Sequence, residues 1–129
     1  MAKSEATSPK AAKRRRLPVE IDRAIRAADA KQATGIVTLD LRDAAGFTDY
    51  FVICSGQNAR QVRAIVDAVM EALAREGAKP AHLEGYDRSE WVLIDYFDFV
   101  VHVFLPETRL FYGLERLWGN AEPVPFSTT

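Results

Sequence analysis

The run "YFVICS", Tyr50 to Ser55, constrains this chain more than any other stretch. It is nearly all apolar, so it reads as a central strand with no face to offer water. Layers must then cover both of its sides, and the remaining segments have to provide them. A chain of 129 residues with 48% hydrophobic content forms one domain and has enough apolar material for such a core.

The flanking segments fit that requirement. "PVEIDRAIRAADAKQ" places Ile21 and Ile25 four apart beside Ala24 and Ala28, which predicts a helix starting near Pro18. "GIVTLDL", Gly35 to Leu41, alternates Ile36, Thr38 and Asp40 with Val37, Leu39 and Leu41, which predicts a half-buried strand. After Ser55 the period changes. Val62, Ile65, Val66, Val69 and Leu73 recur at helical spacing, with Asn58 as N-cap and Gly77 as the stop. A short strand is expected around Ala81 to Glu84. "WVLIDYFDFVVHVF" reads as a hairpin of two strands with its turn at Tyr96 to Asp98. "PETRLFYGLERLW" returns to helical spacing through Leu110, Leu114, Leu117 and Trp118, and "GNAEPVPFSTT" reads as a loose tail. The expected fold is α/β (α+β), a single mixed sheet of about five strands flanked by helices. Its expected divisions are a basic disordered tail over 1–17, one domain over 18–121 and a C-terminal tail over 122–129.

The single cysteine, Cys54, allows no internal disulfide and no cysteine-based metal site. It lies in an apolar strand, where a thiol acts as a small hydrophobe. No apolar run approaches the roughly 20 residues that span a bilayer, and the N-terminus lacks the apolar centre of a secretory signal. A cytoplasmic setting without membrane contact is expected.

Charge is unevenly placed. The first sixteen residues carry six cations (Lys3, Lys10, Lys13, Arg14, Arg15 and Arg16) against Glu5 alone. The rest holds 11 basic and 17 acidic residues, a net of −6. A basic tail on an acidic body can meet phosphate with one part and a basic protein with the other; the plainer reading of the tail is a solvated extension.

The hairpin carries Asp95, Asp98 and His102, which invites a metal or acid–base reading. Strand geometry argues against it. At about 3.3 Å per residue, His102 would lie more than about 10 Å from Asp98, too far for shared ligation. No metal is therefore expected at these three residues. A rival reading is enzymatic. Ser55 and Gly56 before a helix resemble the Gly-Ser that opens nucleotidyltransferase sites, but such enzymes also need a close carboxylate pair for their metal. Asp95 with Asp98, or Asp87 with Glu90, are the available pairs. Trp91, beside polar "DRSE", suits either an interface anchor or the rim of a core.

Several linked segments, "DLR", "FTDYFVICSG", "RQVRAIVDAV", "EG", "WVLIDYFDFVVHVF" and "RLFYGLERLW", fall in an order that resembles the ribosomal silencing factor family, RsfS, also called Iojap-like. The resemblance covers about Asp22 to Ala121. It implies a binding protein rather than an enzyme, on a fold with a nucleotidyltransferase-like outline but no such active site. It further implies docking on the large ribosomal subunit through ribosomal protein L14, a block on small-subunit joining, and repression of translation under nutrient limitation. Homodimers when free are also implied. The docking segment carries over to Trp91, Leu93, Asp95, Asp98, Val100, His102 and Phe104. Where the family usually has a glycine in its Asp-Tyr-Gly-Asp turn, this chain has Phe97, so either the turn differs or the ring adds an apolar contact.

If the tail contacts ribosomal RNA, its six cations release counterions and steepen the salt dependence of ribosome binding. Binding by the full chain and by a chain starting at Leu17, compared over a salt series, checks this. Equal slopes would leave the tail as a solvated extension.

Overall fold

The structure is a computed structural model that describes residues 18–44, 46–118 and, as backbone, 122–124. Among the described residues ten elements follow one another: α1 (Val19–Ala30), β1 (Thr34–Asp40), β2 (Tyr50–Ser55), α2 (Ala59–Arg75), β3 (His82–Glu84), β4 (Trp91–Asp95), β5 (Phe99–Phe104), α3 (Pro106–Tyr112), α4 (Leu114–Leu117) and β6 (Glu122–Val124). The strands form one sheet in the order β3-β4-β5-β2-β1-β6. β2 and β5 run parallel at its centre, and every other neighbouring pair is antiparallel. The sheet is mixed, as expected.

α1 and α2 cover one face. Ile21, Ala24, Ile25 and Ala28 of α1, with Val62, Ile65, Val66, Val69 and Leu73 of α2, bury the stripes that their spacing predicts. They pack against Val52, Cys54, Val92, Ile94, Val101 and Val103 from the sheet. Asn58 caps α2, its Oδ1 accepting from the Gln61 backbone N–H at 2.9 Å. Gln61 also accepts from the Gln57 N–H and donates to the carbonyls of Lys31 and Gln32, so one side chain ties the start of α2 to the end of α1. Burial pushes the Cys54 thiol up to about 12.

The second face has a thinner cover. Leu39, Leu41, Phe51, Ile53, Val100 and Phe104 meet Leu114 of α4, with Trp91, Leu93 and Trp118 half-buried against them. α3 buries none of its residues. The single stripe expected over Leu110, Leu114, Leu117 and Trp118 does not form. Gly113 takes a left-handed conformation, φ 58° and ψ 42°, and splits the segment into two short helices. Leu114 goes inward while Leu110 and Leu117 stay 76% and 71% exposed.

Two other expectations change. β1 is buried in its second half at Thr38, Leu39 and Asp40 alike: Leu39 packs into the second layer, and β6 pairs along the edge of β1 there. β6 itself lies where a loose tail is expected; it adds a sixth strand by pairing with Thr38–Asp40. The proposed basic tail, 1–17, falls outside the described residues, as do 125–129.

The loop entering β4 depends on Gly85, at φ +84°, where a Cβ would strike the Trp91 carbonyl. Gly85→Ala therefore combines a left-handed backbone with a clash against a strand, and should lower unfolding free energy by about 2–4 kcal/mol. A chemical-denaturation curve beside that of the parent checks it.

Candidate functional site: the hairpin face and its turn

β4 and β5 pair as Trp91 with Phe104, Leu93 with His102, and Asp95 with Val100. Alternation puts these six side chains on the second, thinly covered face. The structure thus brings six of the seven candidate residues onto one patch, and Asp98 lies just beyond it in the turn. They are not equally accessible. Trp91, Leu93 and Asp95 are half-buried and Asp98 is exposed. Val100, His102 and Phe104 are only 6%, 3% and 0% exposed. These three form the floor on which the others stand, packed with Phe51, Leu114 and Trp118.

Aromatic contacts organise that floor. The Trp91 indole stacks on Phe104 at 5.0 Å and meets Tyr112 at 4.9 Å. His102 meets Phe51 edge-on at 4.5 Å, and Phe51 leads on to Trp118 and Phe47. Trp91 is therefore at the rim of the core, half-buried against that cluster.

The Trp91 Nε1–H donates to His102 Nδ1 at 3.1 Å. An indole can only donate, so His102 is neutral with its hydrogen on Nε2. That Nε2 has no hydrogen-bond partner among the described residues. Burial pushes the imidazole down to about 3. A neutral, enclosed ring of this kind positions Trp91.

Asp95, Asp98 and His102 do not converge. Asp95 Oδ1 accepts from the Phe97 backbone N–H at 2.8 Å, Asp98 points from the turn, and His102 is committed to Trp91. Among the described residues no group of three or more His, Cys, Asp or Glu side chains could hold a metal ion.

The turn resolves the question posed by Phe97. The Asp98 N–H donates to the Tyr96 carbonyl at 2.9 Å, and Phe97 between them has φ 72°. This is the classic γ-turn geometry, rare and strained for a residue with a Cβ. The backbone keeps the left-handed form that suits glycine, at a cost of about 1–3 kcal/mol, and the ring is 71% exposed.

Ser55 offers no open nucleophile or anion seat. Its hydroxyl accepts from Arg109 Nη1 at 2.9 Å. The same guanidinium donates to the Gly35 carbonyl and, in a fork, to Glu115, whose carboxylate is thereby held below its ordinary range. The Gly56 N–H is used by the Phe104 carbonyl at 2.9 Å. A cleft of about 330 Å³ opens here, lined by Ser55, Pro106, Arg109, Leu110, Gly113, Glu115 and Arg116. The Asp95–Asp98 pair lies at the other end of β5, about 16 Å away at strand rise, so it cannot serve this cleft. Glu90 is at the near end, but its carboxylate pairs with Arg88.

Sequence reasoning missed the exposed apolar surface beside Trp91: Leu110, Phe111 and Leu117, 76%, 78% and 71% exposed, with Tyr112 and Phe47. The available signal was the density of large apolar residues in "RLFYGLERLW", more than one helical stripe can bury.

The family model described as "Ribosomal silencing factor during starvation" matches residues 14–128. A ribosomal silencing factor RsfS from Halalkalibacterium halodurans is 41% identical over 101 residues, 78% of this chain and 86% of its own length. The chloroplastic protein Iojap of Zea mays is 36% identical over 105 residues, 80% of this chain and 46% of its own length. A solved structure from Chromobacterium violaceum superposes with a TM-score of 0.77 at 31% identity, covering 86% of this chain and 93% of that one.

Burial of His102 makes stability pH-dependent in a definite direction. Unfolded, the imidazole takes a proton near 6.5; folded, it does so only near 3. Between those values the unfolded state binds more protons, so stability is intact above about pH 6.5 and falls as pH drops toward 3. At pH 5 the loss relative to pH 7.5 is about 2 kcal/mol. Denaturation at the two pH values should show that difference shrinking by about the same amount in His102→Gln.

Proposed function

We propose, from the premise that this chain belongs to the RsfS family of ribosomal silencing factors, that it binds the large ribosomal subunit through ribosomal protein L14. Bound there, it blocks joining of the small subunit and represses translation when nutrients are limiting. The observation that carries this reading is the exposed apolar surface of α3 and α4 beside half-buried Trp91. Leu110, Phe111, Tyr112 and Leu117, large apolar residues left exposed on two consecutive short helices, are what a protein partner would cover.

Charge points to the kind of partner. The body from residue 17 onward carries −6, and Asp95 and Asp98 lie at the edge of this face. Such a surface attracts a basic ribosomal protein and speeds the encounter. The chain works as a binding protein, with no cofactor in that role. The basic tail adds contact with ribosomal RNA, and the free chain forms a homodimer. The setting is the cytoplasm; no described helix is long and apolar enough to cross a membrane.

The nucleotidyltransferase-like alternative has less support, since Arg109 occupies the Ser55 hydroxyl, the Asp95–Asp98 pair is at the far end of β5, and the nearer Glu90 carboxylate is paired with Arg88.

Sedimentation with isolated subunits tests the proposal. The chain should follow the large subunit, prevent subunit joining, and show no magnesium-dependent turnover of nucleoside triphosphates. Asp98→Lys, an exposed charge reversal, should weaken large-subunit binding about tenfold at low salt and less at high salt, with the melting midpoint unchanged. Sedimentation with the small subunit alone would overturn the reading.

A further inference from the structure

We propose that the hairpin tip centred on Phe97 is a second contact point, an aromatic plug that enters an apolar recess on a basic protein surface. The inference rests on the reading of this chain as a ribosome-docking protein and extends it to a residue outside the Trp91 face.

Three observations carry it. The first is backbone strain that the fold does not need. Phe97 occupies the centre of a γ-turn at φ 72°, a conformation that glycine adopts freely. The second is that the strained turn is held from every side. Its N–H donates to Asp95 Oδ1 at 2.8 Å, its carbonyl accepts from Thr48 Oγ1 at 2.8 Å, and the next carbonyl, that of Asp98, accepts from the Asp49 N–H at 2.9 Å. Such bracing presents the ring at one fixed place, so little conformational freedom is lost on binding. The third is that the ring is 71% exposed. A strained, braced and exposed phenylalanine contributes little to the core, and strain of this kind gathers where a surface is used.

The surroundings select the partner. Asp98 and Asp49 are exposed beside the tip and Asp95 is half-buried at its base. Arg42, the nearby cation, is engaged by Asp40 through Nε at 2.9 Å and Nη2 at 2.6 Å. An aromatic ring framed by carboxylates repels nucleic acid phosphate and suits a basic protein. The tip also continues the docking face, because the Asp95–Val100 rung that closes that face leads directly into the turn.

Phe97→Gly separates binding from folding. In the full chain it should hold the melting midpoint or raise it by a few degrees, roughly 2–6 °C, as strain is relieved. Large-subunit affinity should fall about tenfold or more, while Phe97→Trp should stay within about threefold of the parent. Unchanged affinity in Phe97→Gly, with the parent binding normally, overturns the inference. So does a midpoint lowered by more than a few degrees, which would return the ring to the fold, or a loss confined to self-association measured by analytical ultracentrifugation. A parent chain that fails to bind the large subunit overturns the docking reading itself, which distinguishes the two failures.

Discussion

Everything else in this molecule hangs on the parallel pairing of β2 and β5, six rungs from Tyr50–Phe99 to Ser55–Phe104. Both strands are buried along their whole length. Parallel neighbours cannot be joined by a tight turn, so a long crossover must intervene, and α2 with the β3–β4 ribbon provides it. That crossover delivers α2 to one face, where α1 joins it. The other face is left to α3 and α4, seven and four residues long, of which only Leu114 is buried. The asymmetry of the two layers therefore follows from the connection. One side is sealed, and among the described residues the other has an incomplete cover, where Trp91 is only half-buried.

The sealed side was readable in the sequence because it obeys periodicity. Val62, Ile65, Val66, Val69 and Leu73 could lie on one face only of a helix, and "YFVICS" could lie only in the middle of a sheet. The open side was less readable, since it depends on what happens between elements. A left-handed residue at Gly113 divides a segment that spacing alone runs together. β6 is short and contains Pro123, so its pairing with β1 leaves almost no pattern in the chain. The face of each hairpin residue was legible from alternation, but its burial was not. Phe104 and Leu93 point the same way, and only the cover over β5 makes one floor and the other surface.

The same distinction governs the polar groups. Asp95, Asp98 and His102 are close in sequence, yet each answers a local structural need: Asp95 braces a turn, and His102 receives an indole hydrogen. Ser55, next to Gly56 ahead of a helix, is tied by Arg109 to Gly35 and Glu115, and so helps fasten α3 to the sheet. Polar residues in a chain of this size read as chemistry more readily than as carpentry, and geometry decides between them.

Both margins of the sheet are three residues long, β3 at one side and β6 at the other. β3 is exposed throughout and includes Glu84, and β6 carries a proline that has no N–H to give. A growing fibril needs a long, regular ladder of free donors and acceptors at a margin, and among the described residues neither side supplies one. The chain can thus keep a sticky apolar patch in water while denying its copies the strand-to-strand templating by which sticky proteins precipitate.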